Sequence, residues 1–136
     1  MKKLLPLALI SLLAIACKKE DSPSRSELIT GSWRLAFDAL DSNRNQTLET
    51  NERKGFTDPD LTGTTYTFNA DGSGAISASG TAPAPFAWNL INGEQQLVLT
   101  GASFGSDTSY LYALTSGELI QEYRYRTGYQ WRGFRK

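Results

Sequence analysis

The stretch "PFAWNLINGEQQLVLTG", residues 85–101, decides the fold. Phe86, Trp88 and Leu90 fall at every second position, the period of a β-strand with one buried face. Asn92-Gly93 then supplies the left-handed backbone of a tight hairpin turn, the strongest short hairpin signal a sequence offers. "QQLVLTG" runs back as the partner strand. This unit is therefore an antiparallel hairpin with nothing helical in it.

The same pattern extends both ways. Upstream, "TTYTFNA" alternates Tyr66 and Phe68 with polar residues, "NADGSG" signals another tight turn, and "GAISASG" returns. Before these, "SWRLAFDA" sets Trp33, Leu35 and Phe37 on one face and Arg34 and Asp38 on the other. Downstream, "ASFGSD" reads as a longer loop, followed by the strands "TSYLYALT", "ELIQEYRYR" and "YQWRGFRK". Eight strands in meander order predict an all-β fold: an eight-stranded antiparallel up-and-down barrel over residues 28–136, closed so that no edge is exposed.

Composition removes several chemistries. The chain has 136 residues, one cysteine and no histidine. His-based triads, an imidazole base and nearly all zinc sites are excluded. The carboxylates Asp38, Asp58, Asp60, Glu118 and Glu122 fall on predicted loops or outward faces, and no spacing pairs them as acid and base. The chain is read as a non-enzyme. Its 14 basic and 14 acidic residues balance, so no basic face for nucleic acid is expected.

The N-terminus carries its own signals. "MKK" followed by the 13-residue apolar run "LLPLALISLLAIA" is too short to span a bilayer and suits a signal peptide, residues 1–16. "LAIAC" resembles the lipobox of bacterial lipoproteins. That resemblance implies cleavage before Cys17, a diacylglycerol on its thiol and a fatty acyl group such as palmitate on its amine. Losing Lys2 and Lys3 from 14 basic residues leaves 12 against 14 acidic ones, a net charge of −2. "CKKEDSPSRS" lacks apolar residues and reads as a flexible tether over residues 17–27. Its Lys19, Glu20 and Asp21 look like the export signal that sends some Gram-negative lipoproteins to the cell surface, on the outer membrane.

The barrel pattern and "ELITGSWRLAF" together resemble the lipocalins, in which a short helical lead-in precedes Gly-x-Trp on the first strand. Here these are Gly31 and Trp33. The resemblance implies that Trp33 plugs the closed end of the barrel and that an arginine of the last strand packs over its ring, with Arg135 the best match and Arg132 second. "YTFNADGSG" and "WRGF" also look like the compact lipocalin-like lipoproteins of Gram-negative bacteria. The long helix many lipocalins carry before the last strand is missing, which argues against a large apolar cargo.

Between the first two predicted strands, "DSNRNQTLETNE", residues 41–52, has the spacing of a calcium loop of EF-hand type. Asp41, Asn43 and Asn45 stand at the first, third and fifth positions, Thr47 offers a carbonyl at the seventh, Glu49 stands at the ninth and Glu52 at the twelfth. "LETNERKG" would supply a short following helix. Gln46 replaces the glycine expected at the sixth position. Calcium is thus an expected cofactor, bound modestly, ordering a connector otherwise long for a barrel.

Three functions remain open. One is a monomeric, lipid-anchored binder of a small, partly apolar molecule inside the barrel, lined by Trp88, Tyr123, Tyr125 and Trp131. Another is a surface module recognising glycan or protein through aromatics, with Tyr123, Tyr125, Tyr129 and Trp131 side by side on the last hairpin. The third is a structural or stress lipoprotein without a ligand.

Overall fold

The computed structural model describes residues 22–55 and 63–136. Residues 1–16, expected to be a signal peptide, and Cys17 lie outside the described residues. Ser24 caps helix α1 (Arg25–Ile29) in a reciprocal capping box with Glu27, so the helix begins three residues inside the segment expected to be tether. Strand β1 (Gly31–Leu40) follows directly. A 3₁₀ turn (Thr50–Glu52) and the short β2 (Arg53–Gly55) come next. The remaining strands are β3 (Thr65–Phe68), β4 (Ser73–Ser77), β5 (Ala84–Ile91), β6 (Gln96–Gly101), β7 (Gly105–Leu114), β8 (Glu118–Tyr125) and β9 (Gly128–Arg135).

Consecutive strands from β3 to β9 pair antiparallel, and β9 closes the sheet on β1. The other edge of β1 is shared. Gly31–Arg34 pairs with β3, and Phe37–Ala39 pairs with β2. The nine strands therefore fill eight positions of a closed up-and-down barrel, as the alternation requires. Asn92 (φ 52°) and Gly93 (φ 63°) form the left-handed turn between β5 and β6.

Two details differ from the expectation. "RKG" is strand β2, not the end of a helix, because its backbone completes the edge of β1 that β3 leaves open. β6 and β7 are joined by three residues, Ala102–Phe104, so "GSD" belongs to a strand rather than to a longer loop.

One end of the barrel is filled. Trp33, Leu35, Phe68, Phe86, Trp88, Leu97, Leu119 and Phe134 form its core, with Ile29 of α1 beneath. The rings meet edge to face: Phe68 lies 5.4 Å from Phe86 and 5.7 Å from Trp88. Trp33 is fully buried and donates its Nε1–H to the Ile29 carbonyl at 2.6 Å. The cation over its ring is Lys136, with Nζ 4.6 Å from the ring centre. Lys136 also donates to the carbonyls of Leu28 and Thr30. Arg135 does not take this place. It pairs across β1 with Arg34 and across β8 with Glu118 on the exposed outer face. Only where the strand ends can the next side chain turn under the base.

A bulge between Leu35 and Phe37 reverses the faces of β1. Beyond it Asp38 turns inward opposite Arg132, while Phe37 and Ala39 face outward, separating Phe37 from Trp33 and Leu35. These outward residues form a second apolar cluster with Ile120, Trp131 and Leu48 of the 41–52 loop. The loop thus packs on the outer wall of the barrel.

Candidate functional site

Above the filled base, the open half of the barrel encloses a cavity of about 380 Å³. Tyr66 of β3, Ile76 of β4 and Leu99 of β6 form its apolar wall, with Phe104 of the β6–β7 turn at the mouth. The opposite wall is polar: Asp107 of β7, Gln121 and Tyr123 of β8, and Arg132 of β9. The cross-strand register explains the grouping. Leu99 faces Asp107 and Gln121 faces Arg132, so alternation turns these pairs to the same interior side.

The polar groups are linked. The Tyr123 hydroxyl lies 2.9 Å from Asp107 Oδ2 and 3.2 Å from Gln121 Oε1, with its single proton to donate. Arg132 Nε donates to Asp38 Oδ1 at 3.2 Å, and its guanidinium carbon lies 5.8 Å from the Tyr123 ring centre. Burial, then the Asp107 charge, pushes the Tyr123 phenol far above its ordinary range. Burial also raises Tyr66, against the lowering effect of Arg132. Burial works against the Arg132 charge, but Tyr123 and Asp38 outweigh it and the guanidinium is held charged. The site is a water-accessible half-barrel with fixed charges and neutral phenols. It can orient a small molecule by hydrogen bonds while aromatic rings cover it.

The residues expected to line the interior separate. Tyr123 lines the cavity. Trp88 sits in the base, its Nε1–H shared between the carbonyls of Asn69 and Ser73 at 3.0 Å. Tyr125 stacks near Tyr123 but is 57% exposed at the rim. Trp131 is fully buried on the outer wall, where it donates to Glu122. The four-ring platform expected on the last hairpin is therefore split. Tyr123 and Tyr125 pair with Gln130 and Gly128 on one face, while Tyr129 and Trp131 pair with Arg124 and Glu122 on the other.

Asp107, Gln121, Arg132 and Tyr66 were not singled out as ligand contacts by sequence. Asp107 hides in "ASFGSD", which reads as loop. Arg132 follows Trp131, and an arginine beside a tryptophan reads as the solvent side of the pair.

The 41–52 loop closes on itself. Asp41 accepts from the backbone N–H of Asn45 and Gln46 at 2.9 and 3.0 Å. Asn43 and Asn45 donate to Glu49 at 3.0 Å each. Thr47 donates its N–H to the Asn45 side chain. Glu52 accepts from the N–H and hydroxyl of Ser42, and these bonds lower its pKa although burial opposes them. Gln46 adopts the left-handed φ of 62° that glycine would supply in its place. Among the described residues, no three His, Cys, Asp or Glu side chains gather closely enough to hold a metal ion.

No protein-family model and no curated protein sequence matches the chain. Among solved structures, the fold is similar to that of a lipocalin-like protein from Bacteroides uniformis ATCC 8492, with a TM-score of 0.58 and 16% sequence identity. The match covers 80% of this chain and 98% of that one. At this identity the likeness speaks for the fold.

Proposed function

We propose that this lipocalin-like barrel is a non-enzymatic, monomeric binding protein that takes a small, partly apolar molecule into the open half of its interior. One observation carries the reading: a filled base beneath a cavity of about 380 Å³ walled on one side by rings and on the other by polar groups. A barrel serving only as a spacer would gain stability by filling that half too. Native mass spectrometry of the protein purified from its own host tests this. A co-purifying small mass is expected, and its loss on denaturation.

In this reading cleavage falls between Ala16 and Cys17, and Cys17 carries the lipid. Residues 17–23 then tether the barrel to the outer membrane, facing the cell exterior. The support is the sequence "LAIACKKED". α1 and the Trp33 end adjoin the tether, so the cavity mouth points away from it.

A second reading rests on a separate observation. On the outer wall the Arg124 guanidinium lies 3.8 Å from the Tyr110 ring centre, beside Tyr112, which is 45% exposed. Such a patch suits glycan or protein recognition. Calcium bound through Asp41, Asn43, Asn45, Thr47, Glu49 and Glu52 remains a secondary proposal. It is supported by the spacing and by the way Asp41, Asn43, Asn45 and Glu49 already converge. Binding would exchange the bonds of Asp41 and Glu52 for the ion.

A further inference from the structure

The cavity lining carries one carboxylate, Asp107, and one guanidinium, Arg132, and these are not paired with each other. Arg132 is matched by Asp38 through the 3.2 Å bond between Nε and Oδ1. Asp107 has no cationic partner among the described residues. Its Oδ2 accepts from Tyr123, and its Oδ1 has no donor among those residues. With Arg132 offset by Asp38, Asp107 is left as the uncompensated charge of the lining. Three aromatic residues line the same space as Asp107: Tyr66, Phe104 and Tyr123. A carboxylate with a free oxygen in a pocket lined largely by rings and aliphatic side chains suits an ammonium group on an apolar body, through a charge-assisted hydrogen bond. The same walls disfavour a fatty acid. Its carboxylate would be repelled by Asp107 and would have to share Arg132 with Asp38.

We infer that the cavity takes a small organic amine, its ammonium donating to Asp107 Oδ1 and its apolar part lying against Tyr66, Ile76, Leu99 and Phe104. This rests on the proposed binding role of the cavity. A cation of this kind takes the free Oδ1 of Asp107 and leaves both the Tyr123–Asp107 bond and the Arg132–Asp38 pair intact.

The test uses three ligands of nearly one shape: 2-phenylethylamine, 2-phenylethanol and 3-phenylpropionate. Each is titrated into full-length protein in detergent by calorimetry, with chemical shifts of the cavity residues followed in parallel. The amine is expected to bind at least about tenfold more tightly than the alcohol, as a charge-assisted bond predicts, and the acid most weakly. Asp107→Asn should remove the preference for the amine and keep the alcohol's affinity. Tyr123→Phe, which preserves the carboxylate, should retain the preference and guards against a folding defect in the first variant. Alcohol or acid binding as tightly as the amine, with shifts at Leu99 and Gln121, overturns the amine assignment and leaves the cavity reading standing. If none of the three moves a cavity resonance, the cavity reading falls with it.

Discussion

Lys136 Nζ lies 4.6 Å from the centre of the Trp33 ring and donates to two carbonyls at the end of α1, so the residue that follows β9 is fastened under the first strand. The barrel is closed there by side chains as well as by the β1–β9 ladder. Trp33→Ala should cost about 3–5 kcal/mol, as truncation of a buried aromatic does, and much of a domain of ordinary stability would then unfold. Lys136→Met should cost about 0.5–1 kcal/mol, the scale of an exposed cation–π contact. Denaturant melts of both variants check this, and a near-native midpoint for Trp33→Ala contradicts the plug.

The raised phenols give a pH signature. Tyr66 and Tyr123 bind their protons more tightly folded than unfolded. Between the unfolded value of about 10 and the higher folded values, the unfolded state holds fewer protons, so stability falls as pH rises. This contribution is complete below about pH 10. Absorbance at 295 nm should show a late fraction of phenolate appearing only with alkaline unfolding, and Tyr123→Phe should shrink it. Full ionisation of every tyrosine in the folded protein would contradict the buried network.

Leu48 belongs to the apolar cluster on the outer wall that buries Trp131. Leu48→Ala should cost about 2 kcal/mol or more and expose Trp131, raising its quenching by acrylamide. Unchanged quenching would mean that the loop does not hold this position in solution.

The loop's internal hydrogen bonds predict how it responds to metal. Chelator alone should leave the melting temperature unchanged, since Asp41 and Glu52 are already satisfied by backbone donors. Millimolar calcium should raise it, and Asp41→Ala with Glu52→Ala should abolish the rise. A flat response in wild type removes calcium from the account.

Anchoring is checked by Cys17→Ser, which should move the protein from the membrane to the soluble fraction. Protease treatment of intact cells should cut the wild-type barrel. Protection of the barrel under conditions that cut a known surface lipoprotein would contradict outward exposure.

The strands were legible because period-two alternation and turns such as Asn92-Gly93 are local signals. The direction of the side chains was less so. The Leu35–Phe37 bulge reverses β1 without any residue that announces it. In β9 both faces are buried, one by the barrel and one by the 41–52 loop, so alternation alone does not tell Trp131's side from Arg132's. Trp88 was equally apolar whether in a cavity or a base. Asp107 was obscured because glycine and serine beside it mimic a loop, although Gly105 (φ 75°) starts the strand.

The central claim is that ligand binds inside the barrel and not on its outer wall. Amide and side-chain chemical shifts of isotope-labelled protein, with the small-molecule fraction of its host added, measure this directly. The account predicts shifts concentrated at Tyr66, Leu99, Asp107, Gln121, Tyr123 and Arg132. Shifts concentrated at Tyr110, Tyr112, Arg124 and Tyr129, with the interior unchanged, would contradict it.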